Sequence, residues 1–234
     1  MILALAAALT LSATLSPSSH APALVPITIS LSVTNRTRAP ITLEFPSPDH
    51  YFVEVLDSNG KVLFDSRTKH KPIPVHSKMD FGIGRTQVAS YVWNGLTDEQ
   101  HTLVAPGKYN IHVEMPSVAT PLSVDLPFML EAPQTIASVL AATRPAQATI
   151  SGTPEREDSI TYLRDDTGRI ALTVPLGMRP QGGFLVRGTM HTVINRVEFV
   201  TERFAPAADN SEPEGTPIPR ATPIPTPTSS RRSR

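Results

Sequence analysis

Residues 27–34 read Ile-Thr-Ile-Ser-Leu-Ser-Val-Thr. Four aliphatic residues alternate with four small hydroxyl residues. That period of two marks a strand with one buried and one wet face. Outward from it, Asn35-Arg36-Thr37-Arg38-Ala39-Pro40 is a polar turn, and Ile41, Leu43 and Phe45 resume the alternation as a hairpin partner. Pro46-Ser47-Pro48-Asp49 ends that strand. Tyr51 to Leu56 reads as a third strand, and Asp57-Ser58-Asn59-Gly60 turns it back into Val62 and Phe64, because Asn and Gly both tolerate positive φ.

Residues 66–87 read as a long irregular loop, basic and Pro-containing, with Gly82 and Gly84. A loop of that length in a compact domain is functional or mobile. Val88 to Trp93 is a strand. Ala105-Pro106-Gly107 leads into Tyr109, Ile111, Val113 and Met115, and Leu122, Val124, Leu126 and Phe128 alternate once more. About seven short strands in this stretch predict an immunoglobulin-like β-sandwich over residues 24–131. Beyond it, Ile136, Val139 and Leu140 share a helical face. Five strand signals then fall between Ala148 and Phe204, with Asp165-Asp166-Thr167-Gly168 as a hairpin turn between two of them. This pattern predicts a small OB-like β-barrel over residues 132–204. The fold class is all-β.

The order of features in the first region resembles the BsuPI-like family of intracellular proteinase inhibitors. The resemblance rests on Val33-x-Asn35, then Ala39-Pro40-Ile41-x-Leu43-x-Phe45-Pro46-Ser47, then Tyr51-Phe52 through Leu56-Asp57. Gly60-Lys61-Val62-x-Phe64, Ser66, Trp93 and Pro106-Gly107-x-Tyr109 complete it. It spans residues 29–115 and implies a sandwich and a proteinase partner. Residues 132–204 are similar to bacterial OB-fold modules through Ile150-Ser151-Gly152, Tyr162 to Ile170, and Val186-Arg187-Gly188.

Both ends of the chain differ in composition from these regions. Ile2 to Thr14 is an almost unbroken apolar run, too short for a membrane span of about 20 residues. Ser16 to Ser19 close it, and Ala21-Pro22-Ala23 has the form of a cleavage site. Residues 1–23 therefore read as a bacterial signal peptide, and the location expected from it is periplasmic, cell-envelope or extracellular. The last 30 residues, 205–234, hold seven Pro and eight Ser or Thr. Such a segment buries too little apolar surface to offset its ordering entropy and is expected to be disordered.

Composition removes several functions. Cys is absent, so there is no disulfide, thiolate nucleophile or Cys-based zinc site. The 234 residues carry 21 basic and 21 acidic side chains, and no region departs from neutrality by more than two charges. That argues against an electrostatic hold on nucleic-acid phosphates. In the second region Arg164, Arg169, Arg187 and Arg196 with Tyr162 and Phe184 are better read as solvated charges and core aromatics than as a stacking groove. His70, His76 and Asp80 are spaced loosely enough to reach one metal, but loop spacing alone supplies no converging geometry. Gly82-Ile83-Gly84 lacks the third glycine of a dinucleotide loop, and no nucleophile elbow or P-loop occurs. No cofactor, metal or catalytic residue is expected.

The function expected is an exported protein-binding module, with proteinase inhibition, of a serine protease, as one version of it. A structural envelope part and an OB-type nucleic-acid or oligosaccharide binder are the alternatives. The candidate partner-binding loops are Arg67 to Arg85 and Asn94 to Pro106. Their named candidates are Arg67, Lys69, Pro72, Pro74, Met79, Phe81, Arg85, Asn94 and Leu96. Pro72 and Pro74 would limit the first loop's freedom and lower its entropic cost of binding.

Overall fold

The computed structural model describes residues 8–69, 73–98, 102–142, 144–173, 183–193 and 196–206. Its strands form two layers of a sandwich and a closed barrel. In the first layer β3 (Ile27–Asn35) lies between β1 (Leu9–Ser16) and β8 (Gly84–Trp93). The second layer has the order β2 (His20–Pro22), β10 (Leu122–Glu131), β9 (Gly107–Met115), β5 (Phe52–Leu56), β6 (Val62–Asp65). A separate ribbon pairs β4 (Ile41–Phe45) with β7 (Ser77–Phe81).

The alternation seen in the sequence fixes which face is buried. Ile27, Ile29, Leu31 and Val33 are fully buried, and Val53, Val55, Ile111 and Val113 meet them from the other layer. Burying side chains of this size contributes about 1.5–3 kcal/mol each. Trp93 completes the core and donates its indole N–H to the Leu96 carbonyl at 3.0 Å. The Tyr109 hydroxyl donates to the Ala105 carbonyl four residues upstream, the bond of a tyrosine corner. The turn after β5 uses Gly60 at φ 80°, with Asp57 Oδ1 accepting from the Asn59 and Lys61 amides.

Residues 9–22 depart from expectation. Leu9 to Ser16 pairs antiparallel with β3 over its whole length, from Leu9 opposite Asn35 to Ser16 opposite Thr28. Leu9 and Leu11 are buried. β2 pairs parallel with the end of β10, and Ala21 and Ala23, the proposed cleavage residues, are 1% and 3% exposed. From Leu9 onward, the stretch read as the body of a signal peptide is sandwich. The physical reason is its own alternation, Leu-Thr-Leu-Ser-Ala-Thr-Leu-Ser, which the run of Ala and Leu before it conceals.

The irregular loop expected at 66–87 is also corrected. It contains a short 3-10 helix (Ser66–Lys69), all of β7 and the start of β8. Leu43 and Met79 face each other across the β4–β7 ribbon, and the apolar face of that ribbon caps the core with Leu43, Phe45 and Phe81.

After β10, α1 (Ile136–Leu140) leads into β11 (Gln147–Glu157), β12 (Ile160–Asp165), β13 (Gly168–Thr173), β14 (Phe184–Val193) and β15 (Arg196–Pro206). These five strands close in the order β11-β12-β13-β15-β14, with β13 parallel to β15 and the other pairs antiparallel. Their core holds Ile150, Leu163, Ile170, Val186 and Phe199, plugged by Ile136 and Val139 of α1. The barrel touches the sandwich directly. Thr149 Oγ1 donates to the Ala23 carbonyl at 2.9 Å, and Leu185 and Ala205 pack into the sandwich core. β15 runs to Pro206, past the expected start of the tail, and residues 207–234 lie outside the described residues.

Candidate functional site

The strongest candidate is the connection between β6 and β7 and the seam beneath it. Its first stem is pinned by side chains. Ser66 Oγ accepts the Val53 amide at 2.9 Å, and Thr68 Oγ1 donates to the Asp65 carbonyl at 2.8 Å. The Arg67 guanidinium pairs with Glu54, donates from Nε to Asp65 at 2.9 Å, and lies 5.4 Å from the centre of the Phe52 ring.

The second stem is Ser77. Its hydroxyl donates to the Ser47 carbonyl at 2.6 Å and so spends its one proton there. His50 Nε2, 2.8 Å from the same oxygen, must then be the donor. The His50 ring is held against Phe45, with centroids 4.6 Å apart.

Between these stems the chain from Ile73 to His76 is exposed. The Val75 amide donates to the Ile73 carbonyl at 2.8 Å. That i to i+2 bond is a γ-turn centred on Pro74, whose locked φ suits the inverse form. Ile73 and Val75, flanking it, are 60% and 56% exposed. A pair of aliphatic side chains in water, on a turn stiffened by proline and followed directly by the anchored Ser77, is arranged to meet an apolar surface.

Under this connection lies a cavity of about 230 Å³, bounded by Pro48, Tyr51, Arg67, Met79, Val88 and Tyr91. Burial pushes the Tyr51 phenol above its ordinary range, and Tyr91 and Asp49 push the same way. Tyr51 is therefore a neutral hydroxyl donor at physiological pH.

The sequence candidates divide accordingly. Arg67 is in the first stem, Lys69 ends the 3-10 helix, Pro74 centres the turn and Met79 lines the cavity. Pro72 lies outside the described residues. Phe81 is 1% exposed and belongs to the core, which corrects its place among the contact residues. Arg85 is exposed on β8, opposite Thr34. Asn94 and Leu96 border the barrel, and the Leu96 carbonyl is taken by Trp93. Ile73 and Val75 fall inside the first candidate loop without being named in it, and His50 and Tyr51 lie outside both loops. The legible signal was a β-branched residue between two prolines in an otherwise polar stretch.

The other candidates have partners of their own. Asp80 accepts from Thr42 Oγ1, His70 lies outside the described residues, and no group of three metal-ligating side chains occurs among those described. Arg164 pairs with Glu155 at 3.3 Å. Arg169 pairs with Glu157 at 2.5 Å and covers the Tyr162 ring at 4.7 Å. The Arg196 side chain lies outside the described residues.

The architecture at this point is a β-sandwich with an exposed apolar turn on the connection between two of its strands. Residues 9–120 match the BsuPI family model, described as intracellular proteinase inhibitor. The match lies on the sandwich and begins at β1. No curated protein matches the chain. Among solved structures, part of the chain is similar to Pseudomonas fluorescens alkylpurine DNA glycosylase AlkC bound to DNA containing an abasic site analog. The identity is 16% and the TM-score 0.33, over 56% of this chain and 32% of that one. The chain spans about a third of that protein's length, and a likeness at this score supports no functional inference.

The family's description overturns the exported location. A family of intracellular inhibitors conflicts with a periplasmic, envelope or extracellular site. Of the residues that suggested export, Leu9–Ser16 and His20–Pro22 are strands within the matched region.

Proposed function

We propose that the protein binds and inhibits a serine protease through the segment Ile73–His76. The observation that carries this reading is the exposed pair Ile73 and Val75 on a proline-centred turn that runs directly into the anchored Ser77. A stiff loop gives up little freedom on binding, so more of its contact energy appears as affinity. Aliphatic side chains suit proteases with apolar specificity pockets, and not those whose pocket ends in a carboxylate. The family description supports a proteinase partner.

On this reading the chain has two modules, a sandwich ending near Glu131 and an OB-type barrel beginning near Ala132. The strand order of the barrel supports the second assignment. A nucleic-acid role for the barrel has less support, because Arg164 and Arg169 are neutralised by neighbouring glutamates.

The test is to titrate the full chain against subtilisin-like and trypsin-like proteases and follow hydrolysis of a chromogenic peptide. Near-stoichiometric loss of subtilisin-like activity is expected. An Ile73→Asp, Val75→Asp double variant should lose inhibition and keep its melting temperature. Absence of inhibition across the panel, or full inhibition by the double variant, would overturn the assignment.

A further inference from the structure

We propose that the cleft between the sandwich and the barrel binds a small amphipathic monocarboxylate, its apolar body on Leu24, Leu96, Leu103 and Phe204 and its carboxylate on Arg203 and Asn94. The cleft is about 320 Å³, at the lower end of the roughly 300–1,000 Å³ typical of small-molecule sites, which favour domain junctions. It shares no lining residue with the seam under the protease-binding segment.

Three separate parts of the chain build it. Leu24 comes from the β2–β3 turn, Asn94, Leu96 and Leu103 from the β8–β9 connection, and Glu202 to Ala205 from β15. Two local irregularities aim these residues. Leu24 sits at φ 67°, a region that a bulky side chain enters only when its surroundings force it. The forcing contacts are visible: Thr149 Oγ1 holds the Ala23 carbonyl at 2.9 Å, and the Val25 amide reaches the Pro22 carbonyl at 3.3 Å.

The second irregularity is a β-bulge. Pairing of β14 with β15 passes from Arg187 opposite Arg203 to Gly188 opposite Thr201, leaving Glu202 as the extra residue. A bulge re-aims side chains, and here Glu202, Arg203 and Phe204 are successively exposed where strict alternation would bury one of them.

Glu202 and Arg203 both line the cleft, but among the described residues only Glu202 has its hydrogen-bonding capacity engaged. Glu202 is committed to the barrel, with Oε2 accepting from Gln147 Nε2 at 2.6 Å and Oε1 from Thr189 Oγ1 at 3.0 Å. Arg187 is held by neutral oxygens, those of Gln147 at 2.5 Å and Thr149 at 3.2 Å. Arg203 lies opposite Arg187 and has no ion pair or hydrogen bond among the described residues. Burial is the main cause that lowers the Arg187 pKa. Glu202 opposes it, and Arg203 adds to it. Across the β14–β15 ladder two guanidiniums meet one carboxylate, and of the two only Arg203, with unengaged donors, lines the apolar floor. A cation would add to the repulsion and a neutral apolar molecule would leave Arg203 unmet. A carboxylate answers it with charge-assisted hydrogen bonds.

The experiment is a titration of the full-length protein with octanoate, octan-1-ol and octylammonium, read by amide chemical shifts and by calorimetry. Octanoate should saturate, with shifts at Leu24, Asn94, Leu103 and Phe204, and bind at least about tenfold more tightly than octan-1-ol, as a charge-assisted bond implies. Octylammonium should not bind. Arg203→Gln should weaken octanoate about tenfold and leave octan-1-ol unchanged, with no change in melting temperature. Phe204→Ala should weaken both. Unsaturable binding, equal affinity for octanoate and octan-1-ol, or an Arg203→Gln protein that binds octanoate like the wild type would each overturn the proposal. Protease inhibition by Arg203→Gln should be unaffected, which separates failure here from failure of the inhibitor assignment.

Discussion

The sandwich and the barrel are both built from short antiparallel strands, yet they are held together differently. The sandwich relies on two broad apolar faces. The four aliphatic residues of β3 are all fully buried, and each meets side chains from the opposite layer. The barrel has a smaller core and closes where backbones nearly touch. A Cβ on Gly152 would lie 2.3 Å from the Arg164 carbonyl oxygen, and one on Gly188 would lie 2.0 Å from that of Val200. Side chains can shift to absorb a change in volume, whereas a paired backbone cannot. The sandwich should therefore respond to lost area, and the barrel to added atoms.

The largest effect should come from removing area on the sandwich side. Deleting residues 1–23 takes away β1 and β2 and exposes the faces they covered. Leu9 and Leu11 alone contribute about 3–6 kcal/mol together, against a total stability of about 5–15 kcal/mol for a domain. The shortened chain should lack the dispersed amide spectrum of the full protein. A cooperative melt at the wild-type temperature would show that β1 and β2 are dispensable and that the faces are not the main support.

Next is one carbon added to the barrel. Gly188→Ala places a methyl group against the Val200 carbonyl at the bulge. The loss expected is about 3 kcal/mol, the upper end of typical overpacking, because the obstacle is backbone. Chemical denaturation of the full chain measures it. A change below about 1 kcal/mol would mean that the β14–β15 pairing yields, and the contrast between the modules would fail.

How much of this was readable follows the same division. The faces of β3, β9 and β5 were legible because alternation survives in the sequence whatever the strand pairs with. β1 has the same alternation, but an apolar run precedes it and its polar positions are small Ser and Thr, so its period was read as a leader's length. β7 was hidden because Ser77 to Phe81 carries Lys and Asp on its outer face and follows two prolines. The glycines at 152 and 188 stood out as motif residues, but only the strand crossing explains why no side chain fits. Leu24, Glu202 and Arg203 gave no signal, since a bulge and a positive φ on leucine are imposed by tertiary contacts.

A smaller effect should appear where the barrel depends on one side chain. Asp165 Oδ2 accepts the Ile136 amide at 2.8 Å, and Oδ1 accepts the Thr167 amide and hydroxyl and the Gly168 amide. It thus ties the first turn of α1 to the β12–β13 turn, beside Thr135, which caps the Ser138 amide. Burial raises the Asp165 pKa, but these four bonds outweigh it and hold it below the ordinary 3.8. A depressed carboxylate stabilises the fold above the unfolded-state pKa, and that contribution fades as pH falls through the folded one. Asp165→Ala should cost about 2 kcal/mol at pH 7, the upper range for a lost cap. The gap between variant and wild type should narrow below about pH 4. A gap that stays constant down to pH 2 would mean the cap acts by shape and not by charge.

The smallest expected effect closes the comparison, because it is the same one-carbon change made in the other module. Ile29 is fully buried in β3, between Leu15 of β1 and Tyr91 of β8. Ile29→Val removes one methyl group and should cost about 1 kcal/mol, roughly a third of the cost of adding one at Gly188. Neighbouring side chains on both layers can relax toward the gap, and the β3 backbone keeps every ladder bond. Equal losses for the two variants, measured under one set of denaturant conditions, would show that volume alone sets the response. A loss at Gly188 several times that at Ile29 would locate the barrel's intolerance in its backbone crossing. Residues 152 and 188 would then be positions where this architecture admits only glycine.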